Sequence, residues 1–207
     1  MLSTTSHMET ENVYEKIAQH FSNTRARPWV WVEEYLNSLT EASLVYDIGC
    51  GNGRNMHTTR LKMIGVDTCD AFLSICKELG LSVLKACMTK LPFVTESADA
   101  IISIASFHHL KTHEDRMKAL YEMNRVLKKN ATLLISVWSI IQPSKTRRTF
   151  KKYGDVLVPW NKYGSVFQRY YYIFTLEELK AMFECCGFDI ISQFHTCGNE
   201  VFVLVKK

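Results

Sequence analysis

Proline is scarce in this 207-residue chain, with only four residues, and no stretch is rich in proline, glycine or serine. That excludes an extended linker and any low-complexity tract. No internal repeat is visible, so a solenoid is excluded as well. No apolar run approaches the ~18 residues that a membrane-spanning helix needs. The first thirty residues carry Glu9, Glu11 and Glu15 and no apolar core segment, which argues against a secretory signal. Cysteine is present but unpaired in pattern. Cys50, Cys69, Cys76, Cys87, Cys185, Cys186 and Cys197 make an odd count with no CxxC. Most fall within apolar elements. The expectation is a reduced protein of the cytosol or nucleus, with neither a disulfide framework nor a zinc site. A strong charge of one sign is also missing. The net charge of +4 admits an anionic partner without requiring one. Length suits one domain, residues 1–207, with a sizeable core and room for an insertion.

What is present alternates. Val13, Ile17 and Phe21 recur every four residues, the spacing of an amphipathic helix. Pro28 opens a second helix carrying Val32, Tyr35, Leu36 and Leu39. Strands are expected at Leu44–Ile48, Met63–Val66, Leu81–Ala86, Ala100–Ala105 and Ala131–Trp138. Helices are expected between them at Phe72–Leu79 and Glu114–Leu127. Ala100–Ala105 is apolar on both faces, as a central parallel strand should be. Thr175 with Glu178 forms a T-x-x-E capping box before Leu179, Met182 and Phe183. Two strands near Ile190–Phe194 and Glu200–Val205 close the chain, joined by so short a link that they should be antiparallel. The implied fold is α/β: a seven-stranded, mostly parallel sheet, helices on both faces, and an antiparallel last strand.

The segment LVYDIGCGNGRNM, Leu44–Met56, carries the chemistry. Glycines after a first strand let the backbone approach a ligand at the carboxyl edge of the sheet. The dinucleotide fingerprint G-x-G-x-x-G is not met, because Arg54 holds its last glycine position. An acid, Asp47, precedes Gly49 and Gly51, which suits a ligand with a positive end better than a pyrophosphate. Asp67 ends strand two, where an acid can take both ribose hydroxyls. Ribose with a cationic amino-acid tail and no phosphate describes S-adenosylmethionine. The competing reading is a tight glycine turn with two acids nearby by chance, a risk that any short motif carries.

The words DIGCGNG, GVDTC, LPF and ADAIISIASFHHL resemble the Class I S-adenosylmethionine-dependent methyltransferases, whose fold is Rossmann-like. YEKIAQHFSNTRARPW, LVPWNKYG and QRYYYIFTLEEL resemble, more narrowly, the eukaryotic tRNA wobble-uridine carboxymethyl methyltransferases. The same module is similar to the methyltransferase domain of the vertebrate AlkB-type tRNA hydroxylase. The resemblance implies esterification of 5-carboxymethyluridine in an anticodon. It implies cofactor contacts from Tyr14, Asp47, Gly49, Gly51, Asp67, Met88 and Ala105. It also implies a heterodimer with a small zinc-binding activator subunit. Cys87 departs from the pattern, since the family tends to place an acid there, so adenine would be held by backbone around Met88 and by apolar packing.

Many amino-methyltransferases follow strand four with an acid or Asn and a Pro-Pro-aromatic word, and ASFHHL in that place argues against an adenine, cytosine or glutamine nitrogen as acceptor. A carboxylate acceptor is already ionised at neutral pH and needs no general base, so no acid/base dyad is expected. Arg25, His108, Trp160, Arg169 and Tyr170 are the candidates for the substrate side. Each has a plainer reading, as a solvated arginine, a core histidine or a packing aromatic. Residues 139–174 form the unusual part. Lys145, Arg147, Arg148, Lys151 and Lys152 precede the aromatics Trp160, Tyr163, Phe167 and Tyr170. Basic groups with aromatics are the habit of single-stranded RNA readers, although a solvated loop explains the charges equally well. The reading is a cap over the active site that grips a tRNA anticodon stem-loop. The rivals are a small-molecule carboxyl or ring methyltransferase and a non-catalytic, cofactor-binding scaffold. Strand three should lie at a sheet edge, open to a partner strand.

Overall fold

The computed structural model describes residues 4–25, 27–146 and 149–207. In chain order the elements are α1 (Thr4–Asn23), α2 (Val30–Ser38), β1 (Leu44–Ile48), β2 (Lys62–Asp67), α3 (Asp70–Glu78), β3 (Val83–Lys85), β4 (Ala98–Ile104), α4 (His113–Val126), β5 (Leu127–Trp138), β6 (Gly154–Lys162), β7 (Ser165–Ile173), α5 (Leu176–Cys185), β8 (Phe188–Thr196) and β9 (Asn199–Lys206). Seven strands form one sheet in the order β3-β2-β1-β4-β5-β9-β8. β1 to β5 pair in parallel, and β9 runs antiparallel to both β5 and β8. This is the expected mostly parallel sheet with a reversed last strand.

Each face is covered. Leu120 and Met123 of α4 and Leu179, Met182 and Phe183 of α5 pack with Tyr46, Ile48, Ile101 and Phe202. Val32 and Leu36 of α2 pack on Val45, Ala100, Ile102 and Leu134 from the other side. β4 is buried along nearly its whole length, which its two-sided apolar pattern requires. α1 docks on α3 through Ala18, Cys69 and Phe72, with Tyr14 and Phe21 beside them. The Glu15 carboxylate accepts the backbone N–H groups of Asp70 and Ala71. It thereby satisfies donors that the first turn of α3 leaves without intrahelical partners.

Two strand boundaries and one cap differ from expectation. β3 is shorter than Leu81–Ala86, because the Leu81 amide donates to Cys76 O and closes α3. β5 starts at Leu127 rather than Ala131. A register shift between Ala98 and Ala100 and a left-handed Asn130 (φ 62°) absorb the extra residues as a bulge. In the capping box, Thr175 accepts the Glu178 N–H at 3.1 Å, while the Glu178 carboxylate accepts the Tyr172 hydroxyl at 3.0 Å.

Within residues 139–174, Gly154–Ile173 forms a hairpin. β6 and β7 pair antiparallel from Gly154↔Ile173 to Lys162↔Ser165. Its tip, Tyr163-Gly164, has positive φ at both residues (47° and 86°), the geometry of a two-residue hairpin turn. Val158, Tyr171 and Ile173 form the inner face, and Tyr171 stacks on Trp138 with centroids 4.0 Å apart. On the outer face, buried Arg116 lies over the Tyr172 ring at 3.4 Å and donates to Leu110 O and Lys111 O. Among the described residues no helix is long and apolar enough to cross a membrane, and no cluster of three metal-ligating side chains occurs.

Arg116 thus ties the hairpin to the turn after β4. Arg116→Met should leave two carbonyls unsatisfied and cost about 1–3 kcal/mol. Denaturant unfolding should show the loss, and limited proteolysis should show earlier cleavage within 154–173. Unchanged cleavage would remove Arg116 as the tie.

Candidate active site

A cavity of about 220 Å³ opens at the carboxyl ends of β1, β2 and β4. The strand order reverses between β1 and β4, the switch point where open α/β sheets bind ligands. Its floor is the glycine turn. Ser103 Oγ and Ser106 Oγ both donate to Ile48 O, at 3.1 and 2.9 Å. Gly49 and Cys50 donate to Val66 O. Gly49 has φ +78°, and a Cβ there would lie 2.4 Å from the Ser106 Cβ, so no other residue fits. Gly51 (φ +54°) has nothing within 4 Å of its would-be Cβ and faces open space. Its N–H donates to Asp67 Oδ2 at 2.8 Å, and Cys69 N–H donates to Asp67 Oδ1 at 3.0 Å. The Asp67 carboxylate is therefore fixed in the cavity wall beside the turn.

Asp47 sits one layer below the lining, wholly buried. Neither of its oxygens completes a hydrogen bond among the described residues. Burial pushes its pKa up to about 7, opposed by the nearby Arg54 guanidinium and Asn55 amide. A buried carboxyl without hydrogen bonds is costly for the folded chain. It is an orphaned acceptor beneath the glycine turn, and it suits a ligand that brings positive charge.

The roof comes from three distant segments. Tyr14, Phe21 and Arg25 enter from α1 and the turn after it, His109 from the 3-10 turn Phe107–His109, and Arg169 and Tyr171 from β7. One hydrogen-bond chain joins them. Arg169 donates to the Tyr171 hydroxyl at 2.7 Å, and Tyr171 meets the Tyr14 hydroxyl at 3.3 Å. Tyr14 meets His109 Nε2 at 3.1 Å, and His109 Nδ1 lies 2.8 Å from Tyr170 O. A carbonyl only accepts, so Nδ1 carries the proton and Tyr14 donates to Nε2. Burial lowers the His109 pKa to about 4, so the ring is neutral at physiological pH. With both nitrogens engaged, His109 positions the roof and is not a base.

The expected residues divide. Tyr14, Gly49, Gly51, Asp67, Met88, Ala105, Arg25 and Arg169 line the cavity together. His108 does not. It is fully buried, and its Nδ1 accepts the Trp138 N–H at 3.0 Å, so it is the structural histidine of the pair and His109 faces the site. Tyr170 also misses. Strand side chains alternate, and burial alternates with Arg169, Tyr171 and Ile173 inward. The Tyr170 hydroxyl donates to Asp155 on the other face, and Tyr171 takes the site. Trp160 lies just outside, under the guanidiniums of Arg25 (5.0 Å) and Arg169 (4.7 Å). Of the basic stretch, Lys151 and Lys152 are exposed before β6, while the Lys145 side chain, Arg147 and Arg148 lie outside the described residues. Cys87 lines the cavity beside Met88. The sequence reading missed Arg54, Asn55, Ser106, Trp138 and Asn199, which also line it.

A methyltransferase domain family matches residues 46–135. The tRNA (carboxymethyluridine(34)-5-O)-methyltransferase of Schizosaccharomyces pombe is 35% identical over 90% of this chain and 91% of its own length. The chain belongs to the family of these tRNA methyltransferases. Xenopus tropicalis tRNA (carboxymethyluridine(34)-5-O)-methyltransferase alkbh8 is 31% identical over 99% of this chain, which spans 42% of that longer protein. In fold, the chain is similar to a methyltransferase solved in complex with the Haloferax volcanii Trm112 methyltransferase activator. The TM-score is 0.67 at 16% identity, covering 95% of this chain and 96% of that one.

The buried Asp47 makes a prediction in the cofactor-free protein. Its folded pKa, about 7, exceeds the ordinary 3.8, so the folded state binds the extra proton and stability falls as pH rises between those values. Asp47→Asn should remove the penalty. Its stabilisation over the wild type should grow from pH 4 to pH 7 and level off above, at about 4 kcal/mol at most, while cofactor affinity drops. Parallel pH–stability curves for the two proteins would refute this origin of the shift.

Proposed function

We propose that this chain transfers a methyl group from S-adenosylmethionine to the carboxylate of 5-carboxymethyluridine at the anticodon wobble position. The product is the methyl ester, 5-methoxycarbonylmethyluridine. The observation that carries the reading is the polarity of the cavity. Among the described residues that line it, Asp67 is the one acid, at the glycine-turn end; Arg54 lies near the buried Asp47, and the guanidiniums of Arg25 and Arg169 both lie over the Trp160 ring at the roof.

S-adenosylmethionine, when bound, supplies an electrophilic methyl group. Asp67 suits the ribose hydroxyls, since a carboxylate at the end of the second strand accepts several hydrogen bonds at once. Gly49 and Gly51 let the ligand approach the backbone, and Asp47 supplies negative charge beneath it. Met88 and Cys87 suit the adenine with contacts that are not acidic. At the other end, Arg25 and Arg169 suit a carboxylate and hold it in line without protonating it. Such positioning supplies up to about 7–11 kcal/mol of a barrier. Neutral, doubly bonded His109 removes no proton, and none needs removing from an ionised acid. Lys151 and Lys152, exposed at the foot of the hairpin, suit tRNA phosphates.

The test incubates the chain with labelled cofactor and tRNA, digests to nucleosides and seeks an alkali-labile methyl ester. Small carboxylic acids serve as competing substrates, and turnover of them alone would favour the small-molecule rival. Asp67→Ala should weaken cofactor binding tenfold or more, about the loss of one or two hydrogen bonds to a charged group. Unchanged affinity by calorimetry would remove Asp67 from the site.

A partner completes the proposal. β3 is a three-residue strand at the sheet edge, with Leu84 44% exposed and Leu79, after α3, 55% exposed. An apolar edge is a template for an added strand. The proposed occupant is a small zinc-binding activator subunit. Co-expression with such a subunit should raise soluble yield and turnover. Leu84→Lys should abolish the gain, because burying an unpaired charge is costly. A fully active lone chain would sink this part.

A further inference from the structure

The cavity does not end at its mouth. A second, open groove of about 840 Å³ continues from it, and Arg25, Trp29 and Arg54 line both. The groove runs between the α1–α2 connection, with Asn23, Thr24 and Arg27, and the hairpin, with Pro159, Trp160 and Asn161. Among the described residues its lining holds three guanidiniums and no carboxylate. Arg54 is buried enough to lower its pKa to about 10 and still carries its charge at neutral pH. It lies over the Trp29 ring at 4.1 Å, so one wall is a guanidinium–indole platform. Across from it, the Trp160 indole N–H donates to His20 Nδ1 at 3.1 Å, which fixes the plane of the second ring.

Beyond the groove stands Tyr163, at the hairpin tip. It is 86% exposed, and its φ of 47° is a conformation that bulky side chains rarely adopt. A two-residue turn would be better served there by asparagine. The ring is held 5.4 Å from that of His20, which lines the groove. Strained, exposed aromatics persist where function holds them.

We propose that this groove takes the unpaired nucleotides flanking the methylated uridine, with Arg27 and Arg54 on phosphates and Tyr163 as a stacking surface for a neighbouring base. The inference rests on the RNA reading above and deepens it. Guanidiniums interleaved with aromatics suit single-stranded RNA, since every base has a face to stack and every linkage a charge. Continuity with the cavity through Arg25, Trp29 and Arg54 places the flanking residues beside the target.

The test titrates a fluorescent anticodon stem-loop RNA against the full chain at several salt concentrations. The variants are Arg27→Ala and Tyr163→Asn, the second chosen because asparagine accepts the left-handed backbone. Each should lose about tenfold in affinity. Arg27→Ala should also flatten the log–log salt slope by about 0.7, the value for one single-strand phosphate. Tyr163→Asn should leave the slope alone, because a stacking contact releases no counterion. On the same samples S-adenosylmethionine affinity should match the wild type and the melting temperature should not fall, rising if anything for Tyr163→Asn as the backbone strain is relieved, which certifies the fold. Wild-type affinity and slope in both variants would overturn the proposal. RNA binding that responds as stated, with no methyl ester formed by the wild type even when co-expressed with the activator subunit, would leave the groove standing and overturn the carboxylate reading instead. Ester formation with indifferent variants would do the reverse.

Discussion

The chain passes within van der Waals contact of itself where Gly49 meets Ser106, and the rest of the site is hung from that crossing. A Cβ at Gly49 would stand 2.4 Å from that of Ser106, so the turn after β1 and the turn after β4 can pack only with glycine there. Two serine hydroxyls then bond Ile48 O, and two amides of the turn bond Val66 O. β1, β2 and β4 are thereby locked at their carboxyl ends. Asp67 joins by accepting the Gly51 amide. The contact is local, but it sets where the lining residues from three strands must point.

Much of the sheet was legible because its physics is local to each strand. β4 reads as apolar on both faces because it is buried on both faces. The reversed end of the sheet was legible from the short link between its last two strands. The hairpin was not. Its inner face carries Arg169 and Trp160 among Val158 and Tyr171, so its pattern is not a clean alternation of apolar and polar. Parity explains one substrate error. Arg169 and Tyr170 are neighbours in sequence and so point to opposite faces of a strand. Pairing Arg169 with Tyr171 needed only the period of two, once a strand was assumed. The histidine error has another cause. His108 and His109 share one 3-10 turn, which sends adjacent side chains in different directions. Which one faces the core depends on Trp138, thirty residues away.

The cofactor side was more legible than the substrate side, and the reason is sequence distance. Asp47, Gly49, Gly51 and Asp67 lie within one β-turn-β unit, so their spacing alone brings them together. The roof joins residues 95 and 157 positions apart through a single tyrosine hydroxyl. No spacing encodes such a meeting. It emerges from α1 docking on α3 and from the hairpin folding back onto Trp138.

The electrostatics of the roof and the floor differ in kind, and that difference bears on the chemistry. At the floor, Asp47 is held without hydrogen bonds at a cost to the folded chain, so part of its negative charge becomes useful only when a cationic ligand arrives. At the roof, every hydroxyl in the Arg169–Tyr171–Tyr14–His109 chain is partnered, and the chain ends on a backbone carbonyl. A proton entering that chain has nowhere to go, because His109 is disfavoured as a cation by burial and by Arg169 itself. The roof therefore holds shape and positive potential while staying inert to proton transfer. An acceptor needing deprotonation would gain little from such a site. An acceptor that arrives already ionised needs a fixed cationic seat and exclusion from water, and Arg169, 3% exposed on the inner face of the hairpin and over the Trp160 ring, supplies both.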